Sequence, residues 1–144
     1  MMLLDTTILV YAVGADHRLS SPCRELLAKI QIGSIRACTT VEVIQEFTHV
    51  WARRRPRADA AQIAGQYAVG LGPVLRPDDD DLQQGLSLFA SSSVLGAFDA
   101  VLAASALRRR WALGSADQAF AETQGLLLLD PGSPTFLEDA LGLN

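Results

Sequence analysis

The sequence predicts an α/β protein with three layers, in which helices pack on a central, mostly parallel sheet of four or five strands. Two observations support this. The chain begins with four apolar residues, Met1–Leu4, and an apolar run without polar alternation is typical of a strand buried on both faces. Short apolar runs then alternate with longer helical patterns, as in βαβ units. The 144 residues fit a single domain, 1–144.

The remaining elements follow from apolar periodicity and from Gly, Pro and capping residues. After Met1–Leu4, the predicted strands are Ser34–Cys38, Pro73–Leu75, Trp111–Gly114 and Gly125–Leu129. The predicted helices are Thr6–Val13, His17–Ile32, 40–55, Arg57–Gly70, Asp78–Ser91, Ala97–Arg110 and Ala116–Thr123, with a further short helix in the tail 131–144.

Side chains at the helix starts predict several N-caps. Ser20 or Ser21 is expected to cap the second helix, and Thr39 or Thr40 the third. The acidic run 78–81 opens the fifth helix. We expect its first member to cap that helix and the others to complement the positive end of the helix dipole.

The charged residues are unevenly distributed. The net charge is −4, which argues against binding duplex nucleic acid by bulk charge. Eleven of the twelve basic residues are arginines, and most of them fall in two clusters, 53–57 and 108–110. Such clusters leave room for local patches that hold phosphates.

Composition also excludes several classes of protein. No apolar stretch reaches the roughly 18 residues of a membrane span, and no basic region precedes the first apolar run as in a signal peptide. Cys23 and Cys38 stand in apolar contexts, so we expect reduced, buried thiols in a cytoplasmic protein. With no CxxC motif and two histidines, a zinc site is not expected.

Asp5 follows the first predicted strand directly. Ligands of open parallel α/β sheets bind at the carboxyl ends of strands, so this position favours a functional carboxylate. Asp is also a favoured N-cap, and the helix that follows needs one. Both interpretations stay open from this stretch alone.

The helix 40–55 divides into two faces at 100° per residue. The apolar face carries Val43, Ile44, Phe47, Val50 and Trp51, and the polar face carries Glu42, Glu46, His49 and Arg53. A polar face is ordinarily just solvated. This helix, however, starts at the carboxyl end of the second strand, so its first two turns should lie beside Asp5, where Glu46 can point over the sheet edge.

Two further acids follow the same rule. Asp99 opens an alanine-rich helix, and Asp117 comes just after a strand, with Ser115 as the expected cap. Each alone can be a charge at a helix start. Together with Asp5 and Glu46 they should gather at one sheet edge, where unpaired carboxylates repel one another. Bound Mg²⁺ or Mn²⁺ removes that repulsion, and both ions prefer oxygen ligands.

These motifs resemble those of PIN-domain nucleases, in particular the VapC toxins of bacterial VapBC toxin–antitoxin pairs. The family's opening DTN motif corresponds to LLDTTIL with Asp5, and its helical glutamate to VIQEF with Glu46. FDAVLAA supplies Asp99, and SADQAF supplies Asp117. The resemblance covers the whole chain in the same order. Thr7 replaces the family's Asn, and we expect its hydroxyl to take over the ordering of the first helix.

The resemblance implies a Mg²⁺- or Mn²⁺-dependent endoribonuclease in which Asp5, Glu46, Asp99 and Asp117 hold the metal. Glu42 is expected to be an accessory acid and Arg53 to contact the RNA backbone. The implied partners are an RNA substrate, a VapB-like antitoxin and a second copy of the chain in a homodimer, without a membrane. The antitoxin segment is expected to dock on the helices 20–31 and 40–70.

Other classes remain as alternatives. Receiver and phosphatase folds also gather acids at strand ends, but a phosphatase would have a second Asp where Thr7 stands, and a receiver needs a late lysine that this chain lacks. A PIN-like binding module without catalysis would be expected to lack one of the four acids. A PIN nuclease that processes RNA without an antitoxin is the nearest alternative.

Overall fold

The computed structural model describes residues 1–143, which form four strands, seven α-helices and one 3₁₀ helix. The strands are β1 (Met2–Leu4), β2 (Ala37–Cys38), β3 (Ala112–Gly114) and β4 (Leu128–Leu129). The α-helices are α1 (Thr6–Val13), α2 (Ser20–Gln31), α3 (Val41–Ala52), α4 (Arg57–Gly70), α5 (Asp79–Ser91), α6 (Ala97–Arg109) and α7 (Phe136–Leu141). The 3₁₀ helix, Gln118–Glu122, lies between β3 and β4.

The sheet confirms the predicted class. Its strands are all parallel in the order β2-β1-β3-β4, and Leu3 of β1 lies opposite Cys38 on one side and Leu113 on the other. All three residues of β1 are fully buried, as expected for a central strand of a three-layer α/β/α protein. The helix α1 packs on both α2 and α3, and α3 packs on α4, whereas α5 packs mainly on α6.

One predicted strand is wrong. Within the described residues, the segment 73–75 contributes only a single parallel bridge, between Leu75 and Thr40. The Leu75 amide donates to the Thr39 carbonyl at 2.8 Å, and the Leu75 carbonyl accepts from the Val41 amide at 3.2 Å. The ladder ends there because the chain enters α3 directly after Thr40, and because Pro73 has no N–H to donate.

The helix starts agree with the predicted caps in most places. Thr40 caps α3 by accepting the Val43 amide at 3.2 Å, and Asp78 forms a reciprocal capping box with Asp81. The predicted serine cap of α2 is wrong. No side chain caps that helix, because the Ser20 hydroxyl bonds the preceding loop, donating to the Ala15 carbonyl at 3.1 Å.

Close packing of α5 against α6 depends on small residues. Ala100, Ala103, Ala104 and Ala106 of α6 are all fully buried. A Cβ placed on Gly85 of α5 would come within 2.6 Å of the Val101 side chain, so the two helices touch there. This contact fixes the helix whose first turn carries Asp99.

None of the helices within residues 1–143 combines the length and apolarity needed to cross a membrane.

Candidate active site at the carboxyl end of the sheet

A pocket of about 340 Å³ opens beside the carboxyl ends of β1 and β3. From β1 the chain crosses to β2 on one side of the sheet, and from β3 it crosses to β4 on the other side. The gap between β1 and β3 is therefore a topological switch point. We call it the acidic pocket. It is lined by Asp5, Thr6, Thr7, Val10, Tyr11, Glu46, Val50, Arg54, Asp99 and Asp117. The four acids that the sequence singles out therefore meet in one place.

Asp5 both caps α1 and lines the acidic pocket. It is 4% exposed, and its Oδ2 accepts from the Thr7 amide at 3.3 Å, the Thr7 hydroxyl at 2.7 Å and the Ser115 hydroxyl at 2.6 Å. Three donors on one oxygen fix the orientation of the carboxylate. The two interpretations of Asp5, cap and pocket group, are thus compatible in one side chain.

Thr7 ties the two strand ends together. Besides donating to Asp5, its hydroxyl accepts the Ala116 amide at 3.0 Å and lies 3.3 Å from the Ser115 hydroxyl. The expectation that a hydroxyl can order this turn in place of an Asn side chain agrees with these contacts. Ser115 is fully buried and links Asp5 to the backbone amide of Asp117, which it accepts at 3.0 Å.

Glu46 and Glu42 have different surroundings although they lie one turn apart on α3. Glu46 lines the acidic pocket, and its Oε2 accepts a short hydrogen bond from the Thr6 hydroxyl, which joins α3 to α1. Glu42 is not among the lining residues. Its Oε2 is buried and has no hydrogen-bond partner within residues 1–143. The structure thus places Glu46 in the acidic pocket and Glu42 outside it.

Asp99 shows the electrostatic effect of this crowding. It lies in the first turn of α6. Burial, followed by the charges of Asp5, Glu46 and Asp117, raises the pKa of its carboxyl to about 6, against the opposing effect of a hydrogen bond from the Gly96 amide. The lining residues contain one cation, Arg54, against four acids. The pocket is therefore suited to bind positive charge.

Asp117 is placed as expected, but the predicted cap is different. Asp117 itself caps the 3₁₀ helix by accepting the Ala119 amide at 2.9 Å. Ser115 instead supports the turn that leads into it, through the hydrogen bonds described above. Asp117 is exposed, so it forms the open side of the pocket.

The two arginine clusters behave differently from expectation. In the first, Arg54 lines the acidic pocket and Arg53 does not, because α3 ends at Ala52 and the next residues form a turn that changes their direction. In the second, Arg108 and Arg109 bind the acidic run 78–81 of α5 in a network of ion pairs. Arg108 and Arg109 are therefore already paired within the fold, which leaves Arg110 as the one arginine of this cluster without an ion pair among residues 1–143.

Comparison with known proteins identifies the family. Residues 2–126 match the family model of the PIN domain. The chain belongs to the PIN-domain family. It is 47% identical over 133 residues to Ribonuclease VapC7 of Mycobacterium tuberculosis, and the alignment covers 91% of this chain and 92% of that protein.

Solved structures share this PIN fold at low sequence identity. The crystal structure of VapBC2 from Rickettsia felis, bound to a DNA fragment from its promoter, matches 90% of this chain and 97% of its own, with a TM-score of 0.70 and 17% identity. FitAcB from Neisseria gonorrhoeae matches 91% of this chain and 98% of its own, with a TM-score of 0.68 and 13% identity. At these identities the likeness supports the fold.

The donor atoms of this PIN domain's pocket suit a hard cation, because the acids supply only oxygen. Among residues 1–143, no three Asp, Glu, His or Cys side chains are placed to hold a metal ion as they stand. Mg²⁺ commonly binds through one or two carboxylates and keeps several waters. The four acids therefore fit a partly hydrated ion better than a dry protein cage.

Several residues that line the acidic pocket are not predicted as site residues from the sequence. Tyr11 lies four residues after Thr7 on α1, so a shared helix face was the available signal. Thr6 is chemically inconspicuous until Glu46 is seen beside it. Nothing in the sequence separates Arg54 from its neighbours, since the turn after α3 decides which of them faces the pocket.

Proposed function

We propose that this chain is a Mg²⁺- or Mn²⁺-dependent endoribonuclease and the toxin of a VapBC-type toxin–antitoxin pair. The observation that carries the proposal is the convergence of Asp5, Glu46, Asp99 and Asp117 in one pocket at the switch point of the sheet. The similarity to Ribonuclease VapC7 supports RNA as the substrate. The similarity to toxin–antitoxin complexes supports an antitoxin as partner.

In this mechanism, the four acids would hold the metal, which when bound supplies an activated water and stabilises charge at the cleaved phosphodiester. The protein's part is to hold the carboxylates in place. Thr7 and Ser115 fix Asp5, and Thr6 fixes Glu46, so these two carboxylates would be oriented before the metal binds. Asp99, whose pKa is about 6, would release any remaining proton to solvent, because a bound cation would stabilise its carboxylate. No side-chain nucleophile takes part.

An arginine beside the pocket would hold the RNA backbone without reading its sequence. Arg53 was the sequence-based candidate for this role, and Arg54 has the better position because it lines the pocket. Within residues 1–143, the Arg54 guanidinium has no ion-pair partner, whereas Arg24, Arg108 and Arg109 have theirs. Arg54 is therefore available to a phosphate.

The partner surfaces of a homodimer and of an antitoxin complex would need exposed apolar side chains. The helices 20–31 and 40–70 offer few of these, because most of their apolar residues pack inward and Val69 is the large exception among the described residues. A larger exposed apolar set lies instead on α5, on the loop that follows it and at the start of α6. It consists of Leu82, Leu86, Phe89, Val94 and Phe98. We place the homodimer contact on this set.

Purified protein should then have the mass of a dimer in light scattering, and the product of a neighbouring antitoxin gene should inhibit it. A monomer that no neighbouring product inhibits would instead favour an RNA-processing PIN nuclease. In either case the expected site of action is the cytoplasm.

The proposed activity is tested by incubating the protein with total RNA in Mg²⁺, in Mn²⁺ and in excess EDTA. Cleavage should require the metal and should be lost in Asp99→Asn. Asp59→Asn, an exposed acid in the first turn of α4, is the matched control and should cleave like the wild type. Cleavage in EDTA would contradict metal dependence, and no cleavage under any condition would favour an inactive binding module.

A further inference from the structure

The acidic pocket is lined by more than the four acids that would hold the metal. Its other lining residues include Val10, Tyr11, Val50 and Arg54. Tyr11 lies in the last turn of α1, six residues after Asp5, which corresponds to about 9 Å along a helix axis. An aromatic ring at that distance is well placed to meet the nucleotide next to a phosphate held by the acids.

One face of the Tyr11 ring is covered by an imidazole. Its ring stacks on that of His17 with the centroids 4.8 Å apart and the planes at 23°. His17 is exposed, yet it is held in place, because its Nδ1 accepts the Leu19 amide at 3.2 Å and its own amide donates to the Ser20 hydroxyl at 3.2 Å. The aromatic pair is therefore ordered before any ligand arrives.

The loop that carries His17 is itself tied to α1. The Arg24 guanidinium of α2 donates to the Ala12 carbonyl at 2.9 Å and to the Gly14 carbonyl at 3.0 Å. These bonds satisfy carbonyls at the end of α1 and limit movement of the loop. A rigid aromatic at the edge of a polar pocket is a feature of proteins that stack single-stranded bases.

We propose that Tyr11, backed by His17, is a platform on which an unpaired RNA base stacks beside the cleaved phosphate, with Arg54 on the adjoining backbone phosphate. The proposal rests on the proposed function for its substrate class. Every base has an aromatic face, so the platform would add affinity with little sequence preference. It would also require that the base be unpaired, because base faces are covered in a duplex.

The test is a binding measurement that does not depend on cleavage. Fluorescein-labelled A12 RNA and a 12-unit abasic ribose-phosphate strand are compared by anisotropy, with Ca²⁺ replacing Mg²⁺ and strand integrity checked on gels. Tyr11→Leu should weaken binding of A12 roughly tenfold and leave the abasic strand unchanged. Tyr11→Phe keeps the ring and should bind both strands like the wild type.

Arg54 is tested with the same two probes. Arg54→Gln should weaken both strands by a similar factor, because they share the phosphates. Arg53→Gln is the matched control, since that residue does not line the pocket, and should change neither.

The outcomes separate this inference from the proposed nuclease activity. If Tyr11→Leu binds A12 as tightly as the wild type, or loses both strands equally, the platform is wrong even in a protein that cleaves RNA. If A12 binding depends on Tyr11 while no RNA is ever cleaved, the platform stands and the nuclease proposal fails. A wild type that prefers the abasic strand, or binds neither strand, overturns the platform.

Discussion

Two groups of acids in this protein differ in the partners that the fold gives them. In the acidic pocket, Asp99 faces three other carboxylates, and its pKa rises to about 6. In the run 78–81, Asp81 is completely buried but receives hydrogen bonds from Arg109, from the Asp78 amide and from Arg108. Burial alone would raise the pKa of Asp81; these bonds outweigh it and lower the pKa to about 2.

Both groups are connected through α6. Its first turn carries Asp99, and its last turn carries the arginines that bind the run 78–81 of α5. One end of the helix thus carries an acid that has no ion pair among residues 1–143, and the other end is held by ion pairs. The presence or absence of arginine partners thus indicates which acids are available to a ligand and which stabilise the fold, although both groups consist of carboxylates.

The largest change in RNA cleavage should distinguish the glutamate of α3 that lines the acidic pocket from the one that lies outside it. Glu46→Gln should nearly abolish RNA cleavage, because Glu46 lines the pocket, and should leave the fold intact because the side chain is exposed. Glu42→Gln should lower activity modestly, as Glu42 lies one turn away outside the pocket. The two variants are assayed side by side across a Mg²⁺ titration. An inactive Glu42→Gln with an active Glu46→Gln would reverse these roles.

The next prediction concerns the paired acids. Asp81→Asn should lower the free energy of unfolding by about 2 kcal/mol, less than for fully buried ion pairs because both arginines are partly exposed. Urea denaturation measures this loss. The folded variant should cleave RNA at the wild-type rate at low temperature. A stable but inactive Asp81→Asn would mean that the two acid groups are not functionally separate.

A smaller effect should appear in the pH dependence of stability of the metal-free protein. The pKa of Asp99 is about 6 in the folded protein, against an ordinary value of 3.8, so its ionised carboxylate lowers the stability of the fold at pH 7. This unfavourable contribution should disappear as the pH falls from 7 to 4. Asp81 ionises at about 2, so its favourable contribution should be lost only below pH 4. Thermal melts across this range should therefore show a gain in stability and then a loss.

Variants assign the two phases of that pH profile. Asp99→Asn should remove the gain between pH 7 and 4, and Mg²⁺ should reduce it in the wild type by stabilising the charged form. Asp81→Asn should weaken the loss below pH 4. If Asp99→Asn leaves the upper phase unchanged, Asp99 is not the group whose ionisation destabilises the fold at pH 7.

The sequence predicted what local signals determine. Asp5 follows a buried strand, Thr40 and Asp78 precede helices, and the four acids follow or open elements that a parallel sheet brings to one edge. These positions depend on periodicity and capping, which can be read from the chain. The order of motifs then located the pocket.

The remaining features depend on tertiary pairing. Nothing near Arg108 in the sequence indicates that the run 78–81 will neutralise it, because the contact requires α5 and α6 to pack side by side. Arg54 rather than Arg53 lines the pocket because α3 ends at Ala52, a boundary that propensities do not resolve to one residue. The segment 73–75 has strand character, but within residues 1–143 it forms a single bridge, between Leu75 and Thr40.

We expect the acids of the acidic pocket, which have no ion pair among residues 1–143, to bind a divalent ion, and the acids paired with arginines not to bind one. Mn²⁺ binding measured by electron paramagnetic resonance tests it most directly, on the wild type, Asp99→Asn and Asp81→Asn. The wild type and Asp81→Asn should bind Mn²⁺ equally well, and Asp99→Asn should bind it at least roughly tenfold more weakly. Equal binding by Asp99→Asn and the wild type, or loss of binding in Asp81→Asn, would contradict it.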